Sequence, residues 1–240
     1  MRRLLLVLTL LAAPALAEPL AVTAEAGRLL GAESEPRPGQ EILARGFSGA
    51  PMRLVVTAAR DAGAPGIRLY ELDRPEGGAW CNRGPDGQAA ALAIPGHWDE
   101  RLTWVPPAGP ADFHLSCTAG AIGKCVLAGY APWRGAALGP LLTACVRMFR
   151  ADYGGDGQSW TRDGMLIAWE DEVVHPGGMG TEMPFEAGWG PGGAVCLAHA
   201  RVPEVATREA ILARYPHLAG DCDAAAARAR GALLLNRSQE

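Results

Sequence analysis

Residues 144–164 read ACVRMFRADYGGDGQSWTRDG and join an apolar, cysteine-containing run to a glycine-rich loop. The run extends upstream to Leu138, and Pro140 suits a first helical turn because its missing N–H would be unpaired there in any case. Its apolar side chains recur at spacings of three and four, as on a helix with one buried face. The stripe consists of Leu141, Cys145, Met148 and Phe149. We therefore predict a helix over Leu138–Arg150, with Cys145 buried, packed on a sheet.

The loop that follows reproduces part of a calcium-binding loop. Counting from Asp152, aspartates stand at positions 1, 5 and 12, as Asp152, Asp156 and Asp163, and the carbonyl of Gln158 stands at position 7. Calcium requires six to eight oxygen ligands, which such a loop supplies in other proteins. Position 3 is Gly154, which has no side-chain oxygen, so the pattern is incomplete. Calcium is the one cofactor that the sequence suggests.

Two other interpretations of the same loop remain open. Asp152 and Asp156 could accept hydrogen bonds from backbone N–H groups and so hold the glycine-rich turn. Alternatively, Asp152, Asp156 and Asp163 could supply the general acid and base of a hydrolase acting on cell-wall glycan or peptide, since glycoside cleavage uses two carboxyl groups a few ångströms apart. His97 and His114 are the remaining candidate catalytic residues, because imidazole is the commonest general base.

Six cysteines predict a disulfide framework. An even number of cysteines in an exported chain is typical of paired half-cystines, so we expect three bridges, in any of about 15 connectivities. The paired C-x-x-C or Cys/His spacing of a zinc site is absent from the sequence. The cysteines are Cys81, Cys117, Cys125, Cys145, Cys196 and Cys222.

The first 17 residues have the features of a secretory signal peptide. Arg2 and Arg3 precede an apolar run over residues 4–13, and Ala15 and Ala17 form a small-residue cleavage site. The run is much shorter than the roughly 20 residues that span a bilayer. We therefore expect a periplasmic or secreted protein without a membrane anchor.

The charge pattern argues against a nucleic-acid partner. The formal net charge is −4, and loss of Arg2 and Arg3 with the signal peptide would take it to −6. The arginines are scattered rather than clustered, whereas nucleic-acid binding requires a basic surface.

The composition and turn pattern predict one β-rich α+β domain with a mainly antiparallel sheet and a few short helices. Residues 52–60 and 67–72 are β-rich runs separated by a Gly/Pro turn, as in a hairpin. We assign residues 18–50 to an exposed lead-in or edge strand and residues 51–223 to the domain. Residues 224–240 are assigned to a helical tail. Residues 185–193 are predicted to form a glycine-rich turn.

Three segments in order resemble one family. They are HLSCTAGAIGKCVLAGYAPW (residues 114–133), ACVRMFRADYGGDGQSWTRDG (residues 144–164) and FEAGWGPGGAVC (residues 185–196). Together they resemble the ADYC-domain family of exported bacterial proteins. The resemblance implies export from a bacterial cytoplasm and carries over no activity.

The chain departs from the family motif at its last position. Ala151, Asp152 and Tyr153 are followed by Gly154, where the family name has cysteine. Since the remaining cysteine count is even, the resemblance implies one disulfide fewer than in relatives, with all six cysteines paired.

The leading functional expectation is a binding or envelope-associated module without enzymatic activity, with an unknown protein or carbohydrate ligand. Trp133, Trp160 and Trp189 lie in Gly- or Pro-bounded segments, where exposed rings would suit such ligands and buried rings would fill a core. The alternative is the hydrolase described above. Ser159 lies outside any G-x-S-x-G motif, so nothing in the sequence indicates a serine nucleophile.

Overall fold

A computed structural model describes residues 18–46, 48–63, 66–84, 87–178 and 182–239. The signal peptide predicted for residues 1–17 lies outside these ranges. The helices are α1 (Ala121–Leu127), α2 (Leu138–Arg150), α3 (Arg208–Arg214) and α4 (Ala224–Ala229), with short 3-10 helices at Pro132–Arg134 and Pro216–Leu218. The strands are β1 (Leu20–Ala21), β2 (Thr23–Glu25), β3 (Arg28–Leu30), β4 (Glu41–Arg45), β5 (Pro51–Asp61), β6 (Arg68–Asp73), β7 (Ala90–Pro95), β8 (His97–Trp98), β9 (Trp104–Val105), β10 (Phe113–Cys117), β11 (Ile167–Glu170), β12 (Phe185–Gly190), β13 (Gly193–Leu197) and β14 (Leu234–Ser238).

The larger sheet has six strands in the order β1-β4-β5-β6-β7-β10. Only the short β1–β4 pair within it is parallel. Every residue of β7 is buried: Leu92 and Ile94 face one core and Ala91 and Ala93 face the other. Because successive side chains of a strand point to opposite faces, this sheet is covered on both sides. The β5–β6 hairpin predicted from the sequence is confirmed.

Helix α2 begins and ends where the sequence predicted. Its buried face packs against α1, β12, β13 and β14, within a core that also contains one face of the larger sheet. Cys145 is fully buried, as predicted. The helix ends because Ala151 adopts the left-handed conformation, with φ 47° and ψ 41°, which turns the chain into the aspartate loop.

A second sheet of four strands has the order β11-β14-β12-β13, and all its pairs are antiparallel. Strand β14 lies in its interior. The helical tail predicted for residues 224–240 is therefore wrong beyond Ala229. Helix α4 ends near Gly231, whose φ of +83° is unfavourable for other residues, and the chain then enters the sheet.

The glycine-rich turn predicted for residues 185–193 is also wrong, because residues Phe185–Gly190 form β12. Gly188 is needed there for close packing. A Cβ at this position would lie 2.5 Å from the Ala227 Cβ and 2.9 Å from the Ala232 Cβ. A glycine within a strand often marks such a close approach.

Residues 18–50 were predicted to form an exposed lead-in or an edge strand; β1 is an edge strand of the larger sheet, but other residues of this segment contribute to the core. Strand β4 is the second strand of the larger sheet, and Ile42 is fully buried. The β2–β3 hairpin covers the second face of that sheet, where Leu29 is fully buried and its N–H donates to the Tyr70 hydroxyl at 2.8 Å.

Three disulfides cross-link the chain, as predicted, and all six cysteines are paired. Such bridges are typical of oxidising compartments, so they indicate a location outside the cytoplasm. The pairs are Cys81–Cys117, Cys125–Cys145 and Cys196–Cys222.

The predicted class is confirmed: the protein is a β-rich α+β domain with mainly antiparallel strands and a few short helices. Among the residues that the structure describes, no helix has the length and apolar character needed to cross a membrane.

Candidate functional site

Asp152 is a buried structural carboxylate. It forms an ion pair with Nη1 of Arg147, one turn before it in α2, and both side chains are almost completely buried. Its Oδ2 also accepts the backbone N–H of Gly157 at 3.0 Å. Arg147 in turn donates to the carbonyls of Arg101 and Pro191. A buried charge requires such partners, so Asp152 ties the loop to α2.

Asp156 holds the outer side of the loop. Its Oδ1 accepts the N–H of Gln158 at 3.0 Å, and its Oδ2 accepts from Arg214 at 2.9 Å and the Tyr215 hydroxyl at 2.8 Å. Burial alone would raise the pKa of Asp156, but these hydrogen bonds and the Arg214 charge lower it below its usual value. The carboxylate is therefore ionised and engaged.

The three aspartates of the loop do not converge. Asp163 is exposed and lines a hollow that neither Asp152 nor Asp156 lines. Gln158 is also exposed, and its side-chain amide donates to the Ser159 carbonyl. In the described ranges, no three His, Cys, Asp or Glu side chains are grouped as a metal site requires. The geometry of Asp152 and Asp156 matches the interpretation in which carboxylates hold the turn.

Gly154 allows a tight contact between the loop and Tyr215. A Cβ at Gly154 would lie 2.2 Å from Cε1 of the Tyr215 ring, closer than real side chains approach. The tyrosine ring thus occupies the space that a side chain at this position would need. A cysteine at position 154 would therefore not fit in this chain beside the Tyr215 ring.

Tyr153, the third residue of the motif, joins a buried polar network around Glu186. The Glu186 carboxylate accepts two hydrogen bonds from Arg201, both at 2.9 Å, one from Tyr153 at 3.0 Å and one from Asn236 at 2.7 Å. Burial alone would raise the pKa of Glu186, but Arg201 and these hydrogen bonds hold it below its usual value. The Tyr153 ring also stacks on that of Trp189, with centroids 5.3 Å apart.

Sequence reasoning missed this network because its members lie far apart in the chain. No spacing pattern links Glu186 to Arg201 or to Tyr153. The only available signal was that charged residues occur in runs otherwise rich in apolar residues. All carboxylate oxygens of Glu186 are engaged, so the network stabilises the fold and offers no open group to a ligand.

Of the three tryptophans singled out, Trp189 is fully buried and belongs to the core. Trp133 and Trp160 are half-buried and pack against the same core. The ring of Trp160 also lies 5.8 Å from the guanidinium of Arg214.

His97 and Asp112 form a pair that is open to solvent. Nδ1 of His97 lies 3.1 Å from both carboxylate oxygens of Asp112, and the imidazole is about half exposed, at 53%. Asp112 also accepts the N–H of Ala108 at 2.9 Å. The carboxylate therefore orients the ring through Nδ1. Within the described ranges, Nε2 makes no hydrogen bond.

His114 lies beside this pair, but both of its ring nitrogens are engaged in hydrogen bonds. Its Nδ1 bonds the Gly96 carbonyl at 3.0 Å, and its Nε2 accepts the indole N–H of Trp98 at 3.0 Å. Burial lowers the pKa of His114 below its usual value, against the opposing effect of the Gly96 carbonyl. The ring is therefore neutral and structural.

His97 and Asp112 line a cleft of about 510 Å³, where Arg45 ends β4 and Phe113 begins β10. Ser48 also lines it, so the wall carries a guanidinium, a carboxylate, an imidazole and a hydroxyl group. Binding sites for small molecules have volumes of about 300–1,000 Å³ and a few convergent polar groups. The cleft therefore has the size and the chemistry of a ligand site.

Comparison with known proteins identifies one family. The family model described as the ADYC domain matches residues 38–203, which include both the cleft and the aspartate loop. A search of curated proteins gave no match, and neither did a search of solved structures.

Proposed function

The chain belongs to the ADYC-domain family, and from this premise and the geometry of the His97 cleft we propose that it is a non-enzymatic carbohydrate-binding module. It acts in the periplasm or outside a bacterial cell. The disulfides and the signal-like residues at the start of the sequence support this location.

The observation that carries the proposal is the set of polar groups in the cleft. Arg45 donates hydrogen bonds, Asp112 accepts them, and His97 and Ser48 can do either. A sugar presents adjacent hydroxyl groups that each donate and accept, so mixed donors and acceptors on one wall suit it better than they suit an apolar ligand. The carboxylate also disfavours a simple anion, because it would repel one.

The aspartate loop supports binding over hydrolysis. Asp152 is buried in its ion pair with Arg147, and Asp156 is engaged by Arg214 and Tyr215. A general acid or base must reach the substrate, which the buried Asp152 does not, and the Asp156 carboxylate is held by its partners. The loop therefore acts as framework in this proposal.

One observation favours a second candidate, hydrolysis in the cleft. The Asp112 carboxylate fixes the His97 ring through Nδ1 and leaves Nε2 open, which is the arrangement of an oriented general base. In this alternative His97 would activate water, and Asp112 would position the ring. It places the chemistry away from the aspartate loop.

The test is calorimetric titration with soluble oligomers of N-acetylglucosamine and with muropeptide fragments. We expect binding, and a loss of affinity of about tenfold or more in His97→Ala and Arg45→Ala, because each removes a hydrogen-bonding side chain from the wall of the cleft. His217→Ala, which removes an exposed histidine outside the cleft, is the control.

Absence of heat with every glycan, or equal affinity in the cleft variants and the control, would contradict the proposal. Product analysis after long incubation separates the two candidates. Cleavage products that form with the wild type but not with His97→Ala would establish the hydrolase instead.

A further inference from the structure

A second hollow lies on the outer side of α1 and α2. It has a volume of about 210 Å³, and its apolar wall consists of Trp98, Leu102, Ile122 and Val146. Arg147 and Arg150 contribute its polar wall. The Arg147 charge is compensated by Asp152, so this hollow combines an apolar interior with one uncompensated guanidinium at Arg150.

A basic hollow of about 220 Å³ adjoins the first. Gly120, Ala121 and Arg150 line both, so the two hollows share a boundary. Lys124 and Arg162 line the basic one together with Arg150. Lys124 is the only lysine of the chain, and its ammonium lies 6.0 Å from the centroid of the Phe149 ring.

The three cations are not neutralised by neighbouring acids. Within the described part of the chain, Lys124, Arg150 and Arg162 form no ion pair, whereas Arg147, Arg201 and Arg214 each do. Asp163 lines the same hollow and leaves a formal excess of two positive charges. This local excess contrasts with the net charge of −4 for the whole sequence.

Arg150 holds the boundary in place. Its Nη2 donates to the Gly157 carbonyl at 2.7 Å, which orients the guanidinium at the end of α2. The guanidinium therefore keeps a fixed position where the two hollows meet.

We infer that these adjoining hollows form a site for an anionic amphiphile, with an alkyl chain in the apolar hollow and an acidic head group on Lys124, Arg150 and Arg162. A hydrated inorganic anion would gain nothing from Trp98, Leu102, Ile122 and Val146. An uncharged alkane would gain nothing from the cations. Only a molecule with both parts uses the whole surface, because burial of its chain adds to the attraction of its head group.

The probe is decanoate, titrated below its micelle concentration and followed by tryptophan fluorescence, since Trp98 lines the hollow. We expect decanoate and decyl phosphate to bind. Decanol, decyltrimethylammonium and inorganic phosphate should each bind at least about tenfold more weakly. Raising the salt concentration should weaken decanoate binding, because the head-group term is electrostatic.

Variants separate the two parts of the site. Arg150→Gln with Arg162→Gln should weaken decanoate about tenfold or more and leave decanol unchanged. Ala121→Phe, at the shared boundary, should weaken both. Leu127→Phe, on the exposed side of the same helix, is the control and should change neither. Thermal melting verifies that each variant folds.

Equal binding of decanoate and decyltrimethylammonium would overturn the inference, because it would show an unselective apolar surface. So would phosphate binding as tightly as decanoate, which would show an anion site that ignores the chain. If the folded double variant Arg150→Gln with Arg162→Gln and the folded Ala121→Phe variant both bound decanoate as tightly as the wild type, the ligand would lie elsewhere. That result would also overturn the inference.

Discussion

The two aspartates that bracket the start of the loop differ in what surrounds them. Asp152 is fully buried against Arg147, whereas the Asp156 side chain retains 39% of its exposure beside Arg214. A buried pair and a surface pair contribute to stability through different balances of desolvation and attraction. Asp152 and Asp156 should therefore contribute unequally to the free energy of unfolding.

We predict that Asp152→Asn lowers the free energy of unfolding by about 3–5 kcal/mol, because it leaves the buried Arg147 charge uncompensated. Asp156→Asn should cost about 1 kcal/mol or less, as is usual for an exposed pair. Urea denaturation measures both, with Asp163→Asn as the exposed control. A small loss for Asp152→Asn would mean that the loop is not framework and would reopen its assignment as a site.

At Gly154, sequence comparison identified a departure that only the structure explains. The even cysteine count correctly predicted full pairing of the remaining six. The identity of the group that replaces the missing side chain was beyond sequence reasoning, because Tyr215 is 61 residues away and nothing in its neighbourhood points to the loop. Whether relatives have one further disulfide stays a prediction.

Among the elements, α2 could be predicted to the residue because period, proline position and the following glycines all agreed. Strand β12 could not, because its glycines signal a turn in isolation. Gly188 instead admits Ala227 and Ala232 of the α4 region against the sheet. Local composition predicts only the conformation that a segment itself favours. Gly188 is required by contacts with residues more than 35 positions later in the chain.

The candidate site shows the same limit. His97 was identified from its residue type, but Asp112 and Arg45 were not, since β8, β4 and β10 had to be brought together first. The sequence favoured the aspartate loop because several acids stand close together there. In the structure these acids lie in one turn, where Asp152 and Asp156 form ion pairs with Arg147 and Arg214.

The contact between β8 and β10 should depend on pH through His114. Its folded pKa is lowered from a usual value of 6.5, mainly by burial, so the unfolded chain binds the proton more readily. The resulting stability is fully present above the unfolded pKa and is lost as the pH falls below 6.5 toward the folded pKa. Protonation of Nε2 would also place a second donor against the Trp98 N–H.

We therefore predict that the free energy of unfolding decreases between about pH 7.5 and about pH 5, and that His114→Gln flattens this decrease. Glutamine can still accept from Trp98 and donate to Gly96. Denaturant titrations across the range measure the effect, with His217→Gln as a control for an exposed imidazole. An equal slope in the wild type and His114→Gln would assign the pH dependence to other groups.

For the whole molecule, the three disulfides divide into accessible and inaccessible bridges. Both sulfurs of Cys125–Cys145 belong to fully buried residues between α1 and α2, whereas Cys117 and Cys222 are partly exposed. Each bridge typically contributes about 2–4 kcal/mol. The protein should therefore lose its stabilisation in steps as a reductant is added.

We predict that under native conditions dithiothreitol opens Cys81–Cys117 and Cys196–Cys222 before Cys125–Cys145. Differential alkylation followed by mass spectrometry measures the order. In denaturant, where burial is lost, this difference in order should disappear. Early modification of Cys125 or Cys145 in the folded protein would show that α1 and α2 open before the edges of the domain.

The interior place of β14 in the four-stranded sheet determines when that sheet can close. Both of its neighbours, β11 and β12, precede it in the chain. During synthesis and translocation, which proceed from the amino end, the edges of β11 and β12 that pair with β14 must wait until residues 234–238 emerge. Unpaired strand edges favour aggregation, so a nascent chain halted before residue 234 would need a chaperone to protect them.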